Sequence, residues 1–191
     1  MVRHLSVFFF AACFVFAQSE ATPYYIADTL AGAIPSGDGG PAASGLLLYP
    51  EAVAVDGQGT IYVADTGQHR VRRLTVGGAI STVAGTGVAG AAGDAGPAAA
   101  AQLNRPMGLA LDATGTQLYI VDQGNHAVRL VNLSSGLITT VAGTLGTSGF
   151  AGDGTAARTA RLNGPTGVVV DERGNLVVTD SGNHRVRRVQ N

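Results

Sequence analysis

The chain has 191 residues, with 12 arginines and no lysine against 13 acidic residues, a net charge of −1, 28 glycines, one cysteine and no tryptophan. This near-neutral composition argues against binding to nucleic acid or to an anionic membrane, because both need clustered positive charge. A single cysteine excludes an intramolecular disulfide framework.

The first 17 residues differ from the rest. A basic start at Met1–His4 is followed by the 13-residue apolar run Leu5–Ala17, which ends in small residues typical of a signal-peptidase site. We therefore predict a signal peptide over residues 1–17 and a domain over residues 18–191. A retained anchor is the weaker interpretation, since a membrane-spanning helix needs about 20 apolar residues. The domain is expected in the periplasm, on the cell surface or outside the cell.

One phrase occurs three times in the domain. It reads DTGQHRVRRL from Asp65, DQGNHAVRL from Asp122 and DSGNHRVRRV from Asp180, and its histidines are 57 and 58 residues apart. Such a period is the signature of a repeat architecture, with repeats at approximately 24–76, 77–133 and 134–191.

The elements follow the same order in each repeat. A glycine-rich loop contains one aspartate, for which we expect a capping or turn role at the short helical turn that follows; calcium binding is the alternative, although one acid is far fewer than the six to eight oxygens that calcium prefers. A small-residue apolar strand then ends in another aspartate. The loop aspartates are Asp38, Asp94 and Asp153, and the strand-end aspartates are Asp56, Asp112 and Asp171.

A second strand alternates apolar and polar residues, and the DxG[QN]H turn reverses the chain into a third strand. The glycine and the Gln or Asn of this turn are expected to take positive φ. A fourth strand ends in TVAG twice. Four antiparallel strands per repeat, joined by short hairpins, indicate an all-β fold composed of β-propeller blades.

These phrases resemble the NHL repeat, and the lead-in GDGGPA, the strand PMGLALD and TTVAG are similar to the form found in secreted bacterial proteins and in teneurins. The resemblance implies a propeller of NHL blades, commonly six, that serves mostly for binding. This chain holds three repeats, half of such a ring. The leucine of the family name is replaced by Arg70, Ala127 and Arg185.

The chain is out of phase with its own repeat, because Ile26–Leu30 has the pattern of a fourth strand before any first strand. In a closed ring it would pair with the last blade. Three blades are fewer than the four to eight of known propellers, which leaves three interpretations. Two copies complete a six-bladed homodimer, the chain is a fragment of a longer protein, or it forms an open arc.

Residues that occur in all three repeats are expected to be structural, with an Asp–Arg pair within or between blades and a histidine hydrogen bond that locks the hairpin. A zinc site built from the three histidines is disfavoured, because they lie about two strand spacings outside the innermost strand. The repeated positions are Asp65, His69, Arg72, Asp122, His126, Arg129, Asp180, His184 and Arg187.

A specific ligand site should break the symmetry of the repeats. Just before and within the first strands, the residues that do so are Tyr49, Glu51, Arg105 and Met107. We find no nucleophile, metal or phosphate-binding motif, and expect no catalytic residue and no cofactor. We therefore predict an exported, non-catalytic binding or scaffold module with a protein or other partner. The alternative is a propeller hydrolase or lyase with an axial metal.

Overall fold

The computed structural model describes residues 28–31, 38–75 and 78–190. The predicted signal peptide lies outside these residues, as does the beginning of the predicted strand Ile26–Leu30. The part of that strand that is described, Asp28–Leu30, has no strand conformation.

In the described residues, eleven strands form three antiparallel sheets, one for each predicted repeat. Blades 1 and 2 have four strands each in sequential order, and blade 3 has three, with β11 at its free edge. Blade 1 contains β1 (Pro50–Val55), β2 (Ile61–Asp65), β3 (Arg70–Leu74) and β4 (Ile80–Ala84). Blade 2 contains β5 (Pro106–Leu111), β6 (Gln117–Asp122), β7 (Ala127–Asn132) and β8 (Leu137–Ala142). Blade 3 contains β9 (Gly167–Val170), β10 (Leu176–Asp180) and β11 (Arg185–Val189).

The blades stack face to face, because β6 of blade 2 carries apolar residues on both sides. Leu118 and Ile120 of β6 pack in a cluster with Tyr62 of blade 1. Tyr119 and Val121, which point to the opposite face, pack with blade 3. The period-2 alternation of a strand thus supplies both cores of the arc.

The first strands of the three blades lie side by side, β1 beside β5 and β5 beside β9. Their small residues permit this approach. A Cβ added to Gly108 would lie 2.9 Å from the Thr166 carbonyl oxygen and 3.1 Å from the Cα of Gly167. The inner strands are therefore closer than side chains of ordinary size would allow.

The only helical segments in the described residues are 3₁₀ turns of three residues each, and none of them could cross a bilayer. Three follow the glycine-rich loops, and three lie between the second and third strands. They are Ala42–Ser44, Thr66–Gln68, Ala98–Ala100, Gln123–Asn125, Ala157–Thr159 and Ser181–Asn183.

Candidate functional site

The Asp–Arg pair of each repeat lies within one blade, and the pair is most buried in blade 2. Asp122 at the end of β6 accepts hydrogen bonds from the Asn104 amide (2.7 Å), the Asn125 side chain (2.8 Å) and Arg129 (3.2 Å). Both Asp122 and Arg129 have 0 % exposure. A second guanidinium nitrogen of Arg129 contacts Asp94 at 3.1 Å. One arginine thus joins the hairpin to the glycine-rich loop.

The same arrangement recurs in the other blades with more exposure. Arg72 lies 3.3 Å from Asp65 and forms an ion pair with Asp38. Arg187 lies 3.6 Å from Asp180 and 2.5 Å from Asp153. The loop aspartates lie in turns, which was one of the two predicted roles. The other, a capping role, is wrong, because the 3₁₀ turns that follow have no side-chain cap and these carboxylates pair with arginine instead.

Burial dominates the pKa of two of the hairpin aspartates, Asp122 and Asp65. It raises the pKa of Asp122 to about 6, against the lowering effect of the Asn104 amide, Asn125 and Arg129. Burial also raises the pKa of Asp65, against the Leu48 amide and Arg72. Because the carboxylates have hydrogen-bond partners inside the scaffold, their raised pKa reflects desolvation rather than a catalytic acid.

The histidine of each repeat has a different role from the one predicted. It takes positive φ itself (54°, 56° and 55° at His69, His126 and His184), whereas the glycine and the Gln or Asn before it do not. In blades 1 and 2 its Nδ1 accepts a hydrogen bond from the next blade, so these two histidines link blades rather than locking their own hairpins. His69 binds the Arg105 amide at 3.1 Å, and His126 binds the Gly164 amide at 3.0 Å.

The glycine of the hairpin turn is required by a close contact instead of by its φ. The Gly124 amide donates to the Asn104 carbonyl at 2.8 Å, and a Cβ on Gly124 would lie 2.4 Å from the Asn104 side chain. Gly67 makes the same bond to Leu48, where a Cβ would meet the carbonyl oxygen at 2.8 Å. The turn is thus pinned beneath the segment that enters the first strand.

Three of the four predicted ligand residues line one depression of about 420 Å³ between blades 1 and 2. Tyr49 and Arg105 occupy equivalent positions before β1 and β5 with φ of 50° and 54°, and Glu51 lies in β1. Met107 lies in β5, half-buried, and does not line it. Sequence reasoning did not assign the remaining lining residues, Thr66, Gly67 and His69, to a binding site.

The depression holds two opposite charges that do not pair with each other. Neither Glu51 nor Arg105 forms an ion pair within the described residues, and both are exposed. Tyr49 beside them is 73 % exposed. These side chains are free for a ligand, whereas the repeated Asp, His and Arg side chains of the first two blades are engaged by the scaffold.

An axial metal site would need the carboxylates that end the first strands, and these accept hydrogen bonds from the amides of their own turns. Oδ1 of Asp56 accepts from the amides of Gln58 and Thr60, and Asp112 and Asp171 do likewise in their turns. These hydrogen bonds outweigh the residual desolvation and lower the pKa of Asp56. Within residues 28–31, 38–75 and 78–190, no group of three or more His, Cys, Asp or Glu is arranged to hold a metal ion.

Four-stranded antiparallel sheets that stack around adjacent first strands define this protein as part of a β-propeller. The family model described as "NHL repeat" matches residues 47–74 and 162–189, which contain the first three strands of blades 1 and 3. The chain therefore contains NHL repeats in blades 1 and 3.

Three curated relatives show the same similarity. The chain is 36 % identical over 98 residues to Protein SUPPRESSOR OF QUENCHING 1, chloroplastic, of Arabidopsis thaliana. The matched residues make up 51 % of this chain and 9 % of that protein. It is 33 % identical to NHL repeat-containing protein 2 of Bos taurus, over 46 % of this chain and 12 % of that protein. It is 35 % identical to human Teneurin-4, over 47 % of this chain and 4 % of that protein. The matched part is therefore about a tenth or less of each relative's length.

Solved structures share the fold. An auxiliary nutrient binding protein from Bacteroides thetaiotaomicron matches with a TM-score of 0.59 at 24 % identity, over 72 % of this chain and 36 % of that one. A gluconolactonase from Xanthomonas campestris matches with a TM-score of 0.51 at 20 % identity, over 75 % and 44 %. Since binding proteins and enzymes both use the architecture, the fold alone does not define the activity.

Proposed function

We propose that this chain is an exported, non-catalytic binding module that holds a short peptide with free termini in the depression of Tyr49, Glu51 and Arg105. The observation that carries the proposal is the pair of unmatched opposite charges in one depression. A ligand with a carboxylate and an ammonium group would satisfy both, with the carboxylate on Arg105 and the ammonium on Glu51.

The scaffold supports this role through rigidity. Both Tyr49 and Arg105 are held in left-handed backbone conformations, and the Arg105 amide is tied to His69 of blade 1. A binding site on a fixed backbone loses less conformational entropy on binding than one on a mobile backbone. Tyr49 adds an exposed aromatic surface for the apolar part of the ligand.

The fold is shared with an auxiliary nutrient binding protein, so the architecture is compatible with a binding role. Export is supported by the basic start and apolar run of residues 1–17. Mass spectrometry of the exported protein would show a chain that begins at Gln18, whereas a chain that retains Met1 would contradict export through a cleaved signal.

Isothermal titration calorimetry with trialanine tests the binding site. We expect trialanine to bind and its acetylated and amidated form, which lacks both charges, to bind at least about tenfold more weakly. Arg105→Gln and Glu51→Gln should each weaken binding by a similar factor. Arg173→Gln, which removes an exposed arginine from the β9–β10 turn, is the matched control and should change nothing.

Two results would overturn the assignment. Equal binding of the free and capped peptides would show that the charges do not recognise the ligand. No heat with either peptide, from a protein whose circular dichroism shows a folded all-β structure, would reject a short peptide as the ligand.

A further inference from the structure

The outer face of blade 1 is exposed at positions that are buried in the other blades. Val53 of β1 is 64 % exposed, whereas its repeat equivalents Leu109 and Val168 are 8 % and 6 % exposed. The equivalents are buried because the preceding blade covers them. We call Val53 and Val55, which is 57 % exposed, the entry face.

Blade 3 leaves apolar residues exposed on the face directed away from blade 2. Val186 of β11 is 68 % exposed, whereas its equivalents Val71 and Val128 have 0 % exposure. Val169 of β9 is 58 % exposed on the same side. We call Val169 and Val186 the exit face. The entry and exit faces are the two halves of a blade-to-blade contact that the structure contains twice.

The segment ahead of blade 1 already lies where the outer strand of a preceding blade would lie. Ala31 packs against the cluster of Ala42 and Ile80 at the outer part of blade 1. Its repeat equivalents Ala84 and Ala142 end the fourth strands β4 and β8 and pack in the same way against blades 2 and 3. The blade that covers the entry face must therefore lack a fourth strand of its own.

Within the described residues, blade 3 has no fourth strand, and an open groove lies in the place that such a strand would take. The groove has a volume of about 540 Å³, between Arg185–Gln190 on one side and the loop 152–157 on the other. In blade 2 the same space is filled by β8, where the Ala95 amide donates to the Ile138 carbonyl at 2.8 Å. The equivalent amide of Gly154 has no such strand to bind.

The histidine links show the same complementarity. His69 and His126 each bind the amide that precedes the next blade's first strand. The imidazole of His184 in blade 3 has no hydrogen-bond partner among the described residues, and neither has the amide of Tyr49, the equivalent donor before β1. The His184 imidazole is thus an acceptor, and the Tyr49 amide a donor, of the kind that form this hydrogen bond at the other two junctions.

We propose that two copies of this chain join head to tail, with the exit face of each on the entry face of the other. The segment that ends at Ala31 would supply the fourth strand of the partner's blade 3, and His184 would accept the partner's Tyr49 amide. Two chains of three blades give a six-bladed ring with twofold symmetry, within the range of blade numbers that propellers use. The occupant is a second copy because this chain carries both halves of the contact.

The test measures the mass of the full chain, expressed from Met1 and purified as the host processes it, by light scattering after size exclusion over a range of concentrations. We expect twice the mass of one chain. Val53→Glu and Val186→Glu should each weaken association by about a hundredfold or more, because each buries an unpaired carboxylate in both of the symmetry-related contacts. Val88→Glu is the matched control, because Val88 is 59 % exposed and lies in a loop outside both faces.

Four results would overturn the proposal. These are a folded monomer at every concentration, a mass that grows beyond two chains, loss of the dimer in only one of the two face variants, and equal loss in the Val88→Glu control. Circular dichroism of each variant confirms that the substitution leaves the sheets intact, as exposed positions should.

Discussion

Replacing Arg129 by methionine removes the guanidinium that joins Asp122 to Asp94, at the most buried position of the three arginines. Asp122 and Arg129 have 0 % exposed side chains, so the variant leaves a carboxylate without its counter-charge in a desolvated site. Breaking a buried ion pair from one side costs about 3–5 kcal/mol. For a domain of this size, the loss lowers the melting temperature by about 10 °C.

The same substitution in blade 3 should cost less, because the Asp153 partner of Arg187 is 67 % exposed and water replaces part of the interaction. We expect a loss of about 1–2 kcal/mol from Arg187→Met, since Asp180 still has its bonds from Asn163 and Asn183. Arg73→Met, at an exposed position of β3 without an ion pair, should change stability by less than about 0.5 kcal/mol.

Urea unfolding followed by circular dichroism measures these differences. The double variant Asp122→Asn with Arg129→Met should recover part of the loss, because it no longer leaves an unpaired charge. Equal losses from Arg129→Met and Arg187→Met would refute the reasoning, since they would show that burial does not set the strength of the pair.

Two further predictions concern pH and backbone geometry. Burial raises the pKa of Asp122 from 3.8 to about 6, so the folded state binds this proton more tightly than the unfolded chain. Protonation of Asp122 therefore stabilises the fold fully below pH 3.8. This contribution falls as the pH rises to about 6, and above that pH the stability no longer depends on Asp122. The stability of the wild type relative to Asp122→Asn, measured by urea unfolding at several pH values, should fall in that window, and no change there would reject the pKa. Gly143→Ala should be severely destabilising, because φ is +88° and a Cβ would lie 2.4 Å from the His126 carbonyl oxygen. Gly136→Ala, with φ of +72° and open space, should cost only about 1–2 kcal/mol in the same assay; similar losses in both would show that φ alone matters.

The blade architecture could be predicted from the sequence because it depends on local patterns. The alternation of β6 and the spacing of the three histidines define strands and period without any distance information. The missing fourth strand of blade 3 also followed from the phase of the repeat, and the structure has three strands there.

The details that were missed depend on contacts between distant residues. Asp94 and Arg129 are 35 residues apart, and no local rule pairs them, so the loop aspartate was interpreted as a local cap or turn residue. Positive φ at His126 was missed because the usual preference places glycine or asparagine there. This φ belongs to the residue that ends the 3₁₀ turn, because His184 takes it too (55°) without the hydrogen bond that His126 accepts from Gly164.

The depression itself could be predicted only in part. Tyr49, Glu51 and Arg105 were found because they break the symmetry of the repeats, which is a property of the sequence. The approach of His69 to Arg105 from another blade depends on how two sheets stack. Met107 breaks the symmetry equally well, yet it does not line the depression.

A two-dimensional amide NMR titration with trialanine tests most directly whether recognition depends on the positions at which the blades differ. We expect the amides of Tyr49, Glu51 and Arg105 to shift, while those of Gly164 and Thr166, at the equivalent junction of blades 2 and 3, do not. Equal shifts at both junctions, or shifts at the second alone, would contradict the account, because the repeated scaffold would then be the binding surface.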